Sequence, residues 1–123
     1  MGDWHEARAL LYEQLMPTEL GEHGVAGILV WGDPALYDST LWVLDRVPAR
    51  GRVAFRHRVV PGITSLQALA AQHKIPWTRT GGTVQITTGR RLRETMPAEA
   101  DDVLVMLDPH CSFADLPPDT EVY

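Results

Sequence analysis

At 123 residues, 45% hydrophobic and 22% charged, the chain is long enough for one ordinary domain with a core, and its composition excludes a disordered or fibrous class. Sixteen acidic against eleven basic residues give a formal charge of −5, which argues against a nucleic-acid or anionic-membrane binder, whose footprint is clustered Lys and Arg. Small molecules or proteins remain as partners. Cys111 is the one cysteine and cannot close an intrachain disulfide, so nothing points to an oxidising compartment and a cytoplasmic location is expected. The opening Met-Gly-Asp-Trp-His-Glu lacks a basic segment leading into an apolar run, and no later stretch reaches the roughly 20 apolar residues that span a bilayer. Gly2 evokes myristoylation, but Glu6 stands where that signal wants Ser or Thr.

Asp3 and Glu6 have capping spacing, and Trp4, Ala7, Leu11 and Leu15 recur at helical intervals, predicting an amphipathic helix with those four on its apolar face. Ala26 to Trp31 is a short, almost wholly apolar run ended by Gly-Asp-Pro, as expected of a strand buried on both faces inside a parallel sheet. Asp38 or Ser39 can then cap a helix carrying Leu41, Val43, Leu44 and Val47, stopped by Pro48 and Gly51. Val53 to Val60 alternates at first and ends at Pro61-Gly62, predicting a second strand. Thr64 and Gln67 have capping-box spacing, and Leu66, Leu69 and Ala70 continue a helix that Ile75-Pro76 ends. After a flexible break at Thr80-Gly81-Gly82, residues 84–88 and 103–107 read as two more strands around an Arg-rich stretch. A domain boundary near residue 80 is expected. The tail, with Pro117-Pro118, shows no period, and the chain has no internal repeat.

Alternating strands and helices predict an α/β fold, and such sheets bind ligands at loops beyond the carboxyl ends of their strands. Two loops lie at such ends. In Trp31 to Asp38, Gly32 permits a tight exit and close ligand approach while Pro34 fixes the chain. Pro61-Gly62-Ile63-Thr64-Ser65 opens a helix, where free amides and two hydroxyls could hold polar or anionic groups. Taken singly, ordinary turn chemistry explains the first and helix capping the second.

Together, and in this order, the two loops resemble the signatures of the tetrapyrrole (corrin/porphyrin) methylase family. The likeness continues through Lys74-Ile75-Pro76 and through Ile86-Thr87-Thr88-Gly89-Arg90-Arg91, and so covers nearly the whole chain. It implies two α/β domains with an S-adenosylmethionine cleft between them, residues 1–80 forming the N-terminal domain and 81–123 the start of the C-terminal one. It further implies a methyltransferase acting on a precorrin of cobalamin biosynthesis, with loss of acetate, and a homodimer. Carried over residue by residue, Trp31, Gly32, Asp33 and Leu36 would contact the cofactor, joined by Thr64 and Ser65. Leu107 matches a further contact, although Met106-Leu107-Asp108 stands where relatives often have Met-Gly. Members of the family begin with a strand and a glycine-rich loop and continue past the last strand seen here, so both domains are expected to be incomplete.

Methyl transfer from a sulfonium is an in-line displacement that asks the protein mainly to orient two molecules and exclude water. Acetate loss needs a water attack and a base, for which Asp33, Tyr37 and Asp38 are candidates. Tyr37, Arg90 and Arg91 are the candidate substrate contacts, since guanidinium forks suit the carboxylates of a tetrapyrrole; for most of the chain's clustered arginines a solvated helix face is the better reading. His5, His23, His57, His73 and His110 lack ligand spacing, so no metal is expected. Neither a nucleophile elbow nor a phosphate-binding glycine loop occurs. Two other readings are a noncatalytic remnant or partner-dependent binding module, and a different tetrapyrrole methylase.

Overall fold

A computed structural model describes residues 2–123, with side chains from Trp4 onward; the Asp3 side chain, half of the expected capping pair, lies outside what is described. The chain divides into two compact units, residues 1–65 and residues 66–123. The boundary expected near residue 80 falls inside the second unit.

The first unit is built on two helices, α1 (Gly2–Leu15) and α2 (Thr40–Ala49). Ala9, Val43 and Val47 are fully buried where they meet, with Tyr12, Met16, Val53 and Phe55 packed around them. Complete burial of each valine contributes about 1.5–3 kcal/mol. α1 forms as predicted but buries a different face. His5, Ala9 and Glu13, spaced four apart, point inward, whereas Trp4, Leu11 and Leu15 are exposed. The sequence periodicity marked an apolar stripe; packing against α2 selected the stripe carrying a histidine and a carboxylate. Glu13, its side chain only 4% exposed, is held by the Arg50 Nε donor at 3.0 Å, and Arg50 also pairs with Glu6. A buried carboxylate without such a cation would cost several kcal/mol.

α2 starts where Asp38 and Ser39 predict, because the Asp38 Oδ1 accepts from the Thr40 amide at 2.6 Å; Ser39 makes no side-chain cap. Pro48 does not stop the helix but lies in its last turn. The chain turns out at Gly51, whose φ of 78° suits a residue without a Cβ.

The two expected strands at 26–31 and 53–60 do not form ladders. Both segments lack a regular hydrogen-bonded partner among the described residues, and Leu29 and Trp31 are 98% exposed. A strand exists by virtue of its neighbour's amides and carbonyls, so apolar content alone could not make one here. Val53 and Phe55 nevertheless pack on the helical core.

In the second unit, α3 (Ser65–His73) arises at the unit boundary and ends with Lys74 in the left-handed region, φ 55°. β1 (Val84–Thr88) and β2 (Asp102–Met106) pair in parallel, Val84 opposite Asp102 through Thr88 opposite Met106. The crossover between them carries α4 (Gly89–Glu94), capped by the Thr88 hydroxyl, which accepts from the Arg91 amide. That strand, helix, strand order is the parallel α/β pattern expected. A short 3₁₀ turn, Ser112–Asp115, follows.

Candidate functional site

Within the first unit the two loops singled out in the sequence come together. Gly32 adopts φ +67°, a conformation disfavoured for a side-chain-bearing residue, and a Cβ there would sit 3.4 Å from the Thr64 Cα. The opposite contact is tighter, since a Cβ on Gly62 would overlap the Gly32 carbonyl oxygen. The backbones of the two loops therefore touch at Gly62, where only glycine fits.

Asp33 spans this junction. Its Oδ1 accepts from the Ala35 amide at 2.8 Å, a local turn bond. Its Oδ2 accepts from the Gly62 amide at 2.8 Å, across 29 residues of chain. Both bonds favour the charged carboxylate, and that with Gly62 most strongly holds Asp33 below the ordinary aspartate range. Thr64 is buried beside this junction, Leu36 is half-buried, and Ser65 and Trp31 are exposed. Leu36 donates its amide to the Asp33 carbonyl at 3.1 Å, closing the turn.

Tyr37 lies next along the loop in the left-handed region, φ 50°, an uncommon conformation for an aromatic residue. It borders an open groove with Trp4, Arg8, Asp38 and Trp42. His5 links the two tryptophans edge-on, with ring centroids at 5.2 Å from Trp4 and 6.4 Å from Trp42. Arg8 stacks over Trp4 at 4.8 Å and donates to the Tyr12 hydroxyl at 2.6 Å. Neither Trp4 nor Arg8 is a site residue by its place in the sequence; they meet one turn apart on α1, and the α1–α2 crossing brings the pair beside Tyr37 and Trp42.

The remaining expected residues belong to the second unit. Leu107 follows β2 with φ 51° and an exposed side chain. Next to it, Asp108 accepts from the Ser112 amide at 2.6 Å and the Ser112 hydroxyl at 2.7 Å; the hydroxyl bond leads in lowering its pKa. Its carboxylate occupies the space a Cβ on Gly89 would need, so the start of α4 and the loop after β2 are neighbours. Arg90 and Arg91 are exposed on α4, and Arg91 forms an ion pair with Glu94 at 3.0 Å. No cluster of three or more His, Cys, Asp or Glu side chains suited to a metal occurs among the described residues.

Residues 3–118 match the family model for Tetrapyrrole (Corrin/Porphyrin) Methylases. The chain belongs to that family. It is similar to a precorrin-6A synthase [deacetylating] from Sinorhizobium sp, with 52% identity over 122 residues, covering 98% of this chain and 47% of the relative. Among solved structures, a cobalamin synthesis related protein (CobF) from Corynebacterium diphtheriae superposes with a TM-score of 0.81 at 38% identity, covering 91% of this chain and 47% of that one. The α/β fold is thus tetrapyrrole methylase-like. The chain spans about half the length of the relatives it matches. No described helix is long and apolar enough to cross a membrane.

Proposed function

We propose that this chain carries the S-adenosylmethionine-binding loops of a precorrin methyltransferase of the precorrin-6A synthase type, which methylates a tetrapyrrole and releases acetate. The observation that carries this reading is the Gly32–Gly62 junction with Thr64 buried beside it, in a chain matching the methylase family over residues 3–118. When bound, S-adenosylmethionine supplies an electrophilic methyl group. Two glycine-opened backbones, the Thr64 and Ser65 hydroxyls and the apolar side chains of Trp31 and Leu36 suit a ligand that has both polar and flat apolar parts. Leu107, in the second unit, would add a further contact.

The protein's share of the chemistry is to orient the two reactants and keep water out, worth several kcal/mol of barrier when the geometry is right. Acetate release also needs a proton acceptor. Asp33 is the poorest of the three candidates, because its two amide bonds stabilise the carboxylate and so weaken it as a base. Asp38 spends one oxygen starting α2. Tyr37, Arg90 and Arg91 would meet the substrate, the arginines through its carboxylates.

The test is a thermal melt and isothermal titration of the chain with S-adenosylhomocysteine. A ligand that binds the folded state alone stabilises it by about 2.7 kcal/mol at a hundredfold excess over its dissociation constant, so the midpoint should rise by several degrees. No heat and no shift at millimolar ligand would sink the reading. Acetate release from candidate precorrins then separates this activity from that of other tetrapyrrole methylases, and light scattering checks the homodimer. A second reading, a partner-dependent binding module, is favoured by the exposure of Leu29 and Trp31; it requires ligand binding to be absent in the isolated chain.

A further inference from the structure

We propose that Asp33 acts as a positioning residue rather than as a ligand contact: its carboxylate ties the Pro61–Ser65 loop to the Gly32–Pro34 loop and thereby builds the cofactor subsite. The inference rests on the reading of these loops as that subsite. In a parallel sheet, the ends of adjacent strands are set by the ladder, so the loops that follow inherit their separation from backbone hydrogen bonds. Segments 26–31 and 53–60, which lead into the two loops, have no such ladder among the described residues. Something else must hold the loops in register.

The bond from the Gly62 amide to Asp33 Oδ2 does so at 2.8 Å. It lies beside the Gly32–Gly62 backbone contact, and a carboxylate is the acceptor suited to the task, since a charge-assisted bond is about twice as strong as a neutral one. The other oxygen is engaged by the Ala35 amide, which fixes the side chain relative to its own turn. Both oxygens are thus directed at backbone amides, one on each loop. An asparagine would keep the shape but turn an NH₂ group toward one of two amide donors, where no acceptor remains. The lowered pKa of Asp33, caused first by Gly62, agrees with this arrangement.

The experiment uses the 123-residue chain and its Asp33→Asn variant. On the wild type, NMR should find a scalar coupling across the hydrogen bond between the Gly62 amide nitrogen and the Asp33 carboxyl carbon; its absence overturns the proposal without any variant. In Asp33→Asn, exchange of the Gly62 amide should quicken roughly tenfold to hundredfold, the equilibrium equivalent of losing a charge-assisted bond, while the α2 amides of Val43, Leu44 and Val47 keep their protection. S-adenosylhomocysteine should bind the variant at least about tenfold more weakly. Unchanged Gly62 exchange overturns the proposal, and so does a loosened Gly62 with unchanged binding. Loss of the α2 protection overturns it too, since Asp33 would then support the whole unit rather than position a loop. If the wild type itself does not bind S-adenosylhomocysteine, the methyltransferase reading fails, and the coupling and exchange data alone decide the tie between the loops.

Discussion

The loop after Trp31 and the loop after Met106 both place an aspartate against a glycine of another segment, yet they are held by different means. In the second unit the strands come first: Thr88 is opposite Met106 in the parallel ladder, so the start of α4 and the loop after β2 are already side by side. Asp108 then only finishes the loop, taking both of its Ser112 bonds from four residues away. Among the described residues of the first unit there is no ladder to begin from, and the corresponding carboxylate reaches across 29 residues to Gly62. The contrast teaches that one side-chain type can either decorate a framework or substitute for part of it, depending on whether the backbone is paired.

The largest effects are expected from a methyl group placed at each glycine. In Gly62→Ala the new Cβ meets the Gly32 carbonyl oxygen, which is backbone and yields only if the loops part. The expected loss is about 1–3 kcal/mol, as for other overpacked sites, together with the Asp33 tie; urea denaturation and S-adenosylhomocysteine titration measure both. In Gly89→Ala the obstacle is the Asp108 side chain from its carboxylate down to its Cβ, so rotating the carboxylate away at the expense of its Ser112 bonds relieves only part of the overlap, and the loop after β2 must also shift. Replacing glycine in a helix regains up to about 1 kcal/mol, and the β1–β2 ladder that sets these segments side by side is untouched, so the net loss should be smaller than for Gly62→Ala. A larger loss for Gly89→Ala than for Gly62→Ala would reverse the argument.

Acid sharpens the same contrast. Asp33 and Asp108 both have folded pKa values below the ordinary range. Stabilisation from a depressed carboxylate is complete above the unfolded titration near about pH 4 and is lost as pH falls through the folded value. Acid titration followed by NMR should therefore free the Gly62 amide in the first unit and the Ser112 amide in the second. The first release should also part the two loops and raise exchange at Ile63 and Thr64, whereas the second should leave the β1–β2 ladder intact. Loss of the ladder in the same step would show that Asp108 does more than finish a loop.

The smallest effect is expected from Arg79→Ala. Arg79 donates to Asp102 at the start of β2, at 3.2 Å between an exposed guanidinium and a half-buried carboxylate at the surface, and such pairs contribute up to about 1 kcal/mol. The nuclear Overhauser contacts between Val84 and Asp102 should survive, because the ladder sets that register.

Much of the helix content was legible in the sequence. The Asp38–Thr40 cap, the Val43/Leu44/Val47 face and the parallel strands around α4 follow from local signals that need no distant partner to be read. The apolar runs at 26–31 and 53–60 gave a strand signal of the same quality, but a strand depends on a neighbour, and hydrophobicity cannot supply one. The inward face of α1 was misread for a related reason. Trp4, Leu11 and Leu15 form the more apolar stripe, yet Arg50 makes the Glu13 stripe buriable, and Arg50 lies 37 residues along the chain. At the candidate site, Gly32, Asp33 and Thr64 were named from the sequence, whereas Gly62 was noted only as part of a motif and Trp4, Arg8 and Trp42 were not tied to the site.

By itself the sequence determined the family, the order of the two glycine loops and the residue types that stand in them, because these are properties of neighbouring residues along the chain. The tertiary structure alone shows that Asp33 is engaged by Gly62, that the Gly32 and Gly62 backbones meet with no room for a Cβ on Gly62, and that an aromatic groove lines the flank of Tyr37. Those facts depend on hydrogen-bond direction and on contacts of a few ångströms between residues far apart in the chain, which residue spacing does not encode.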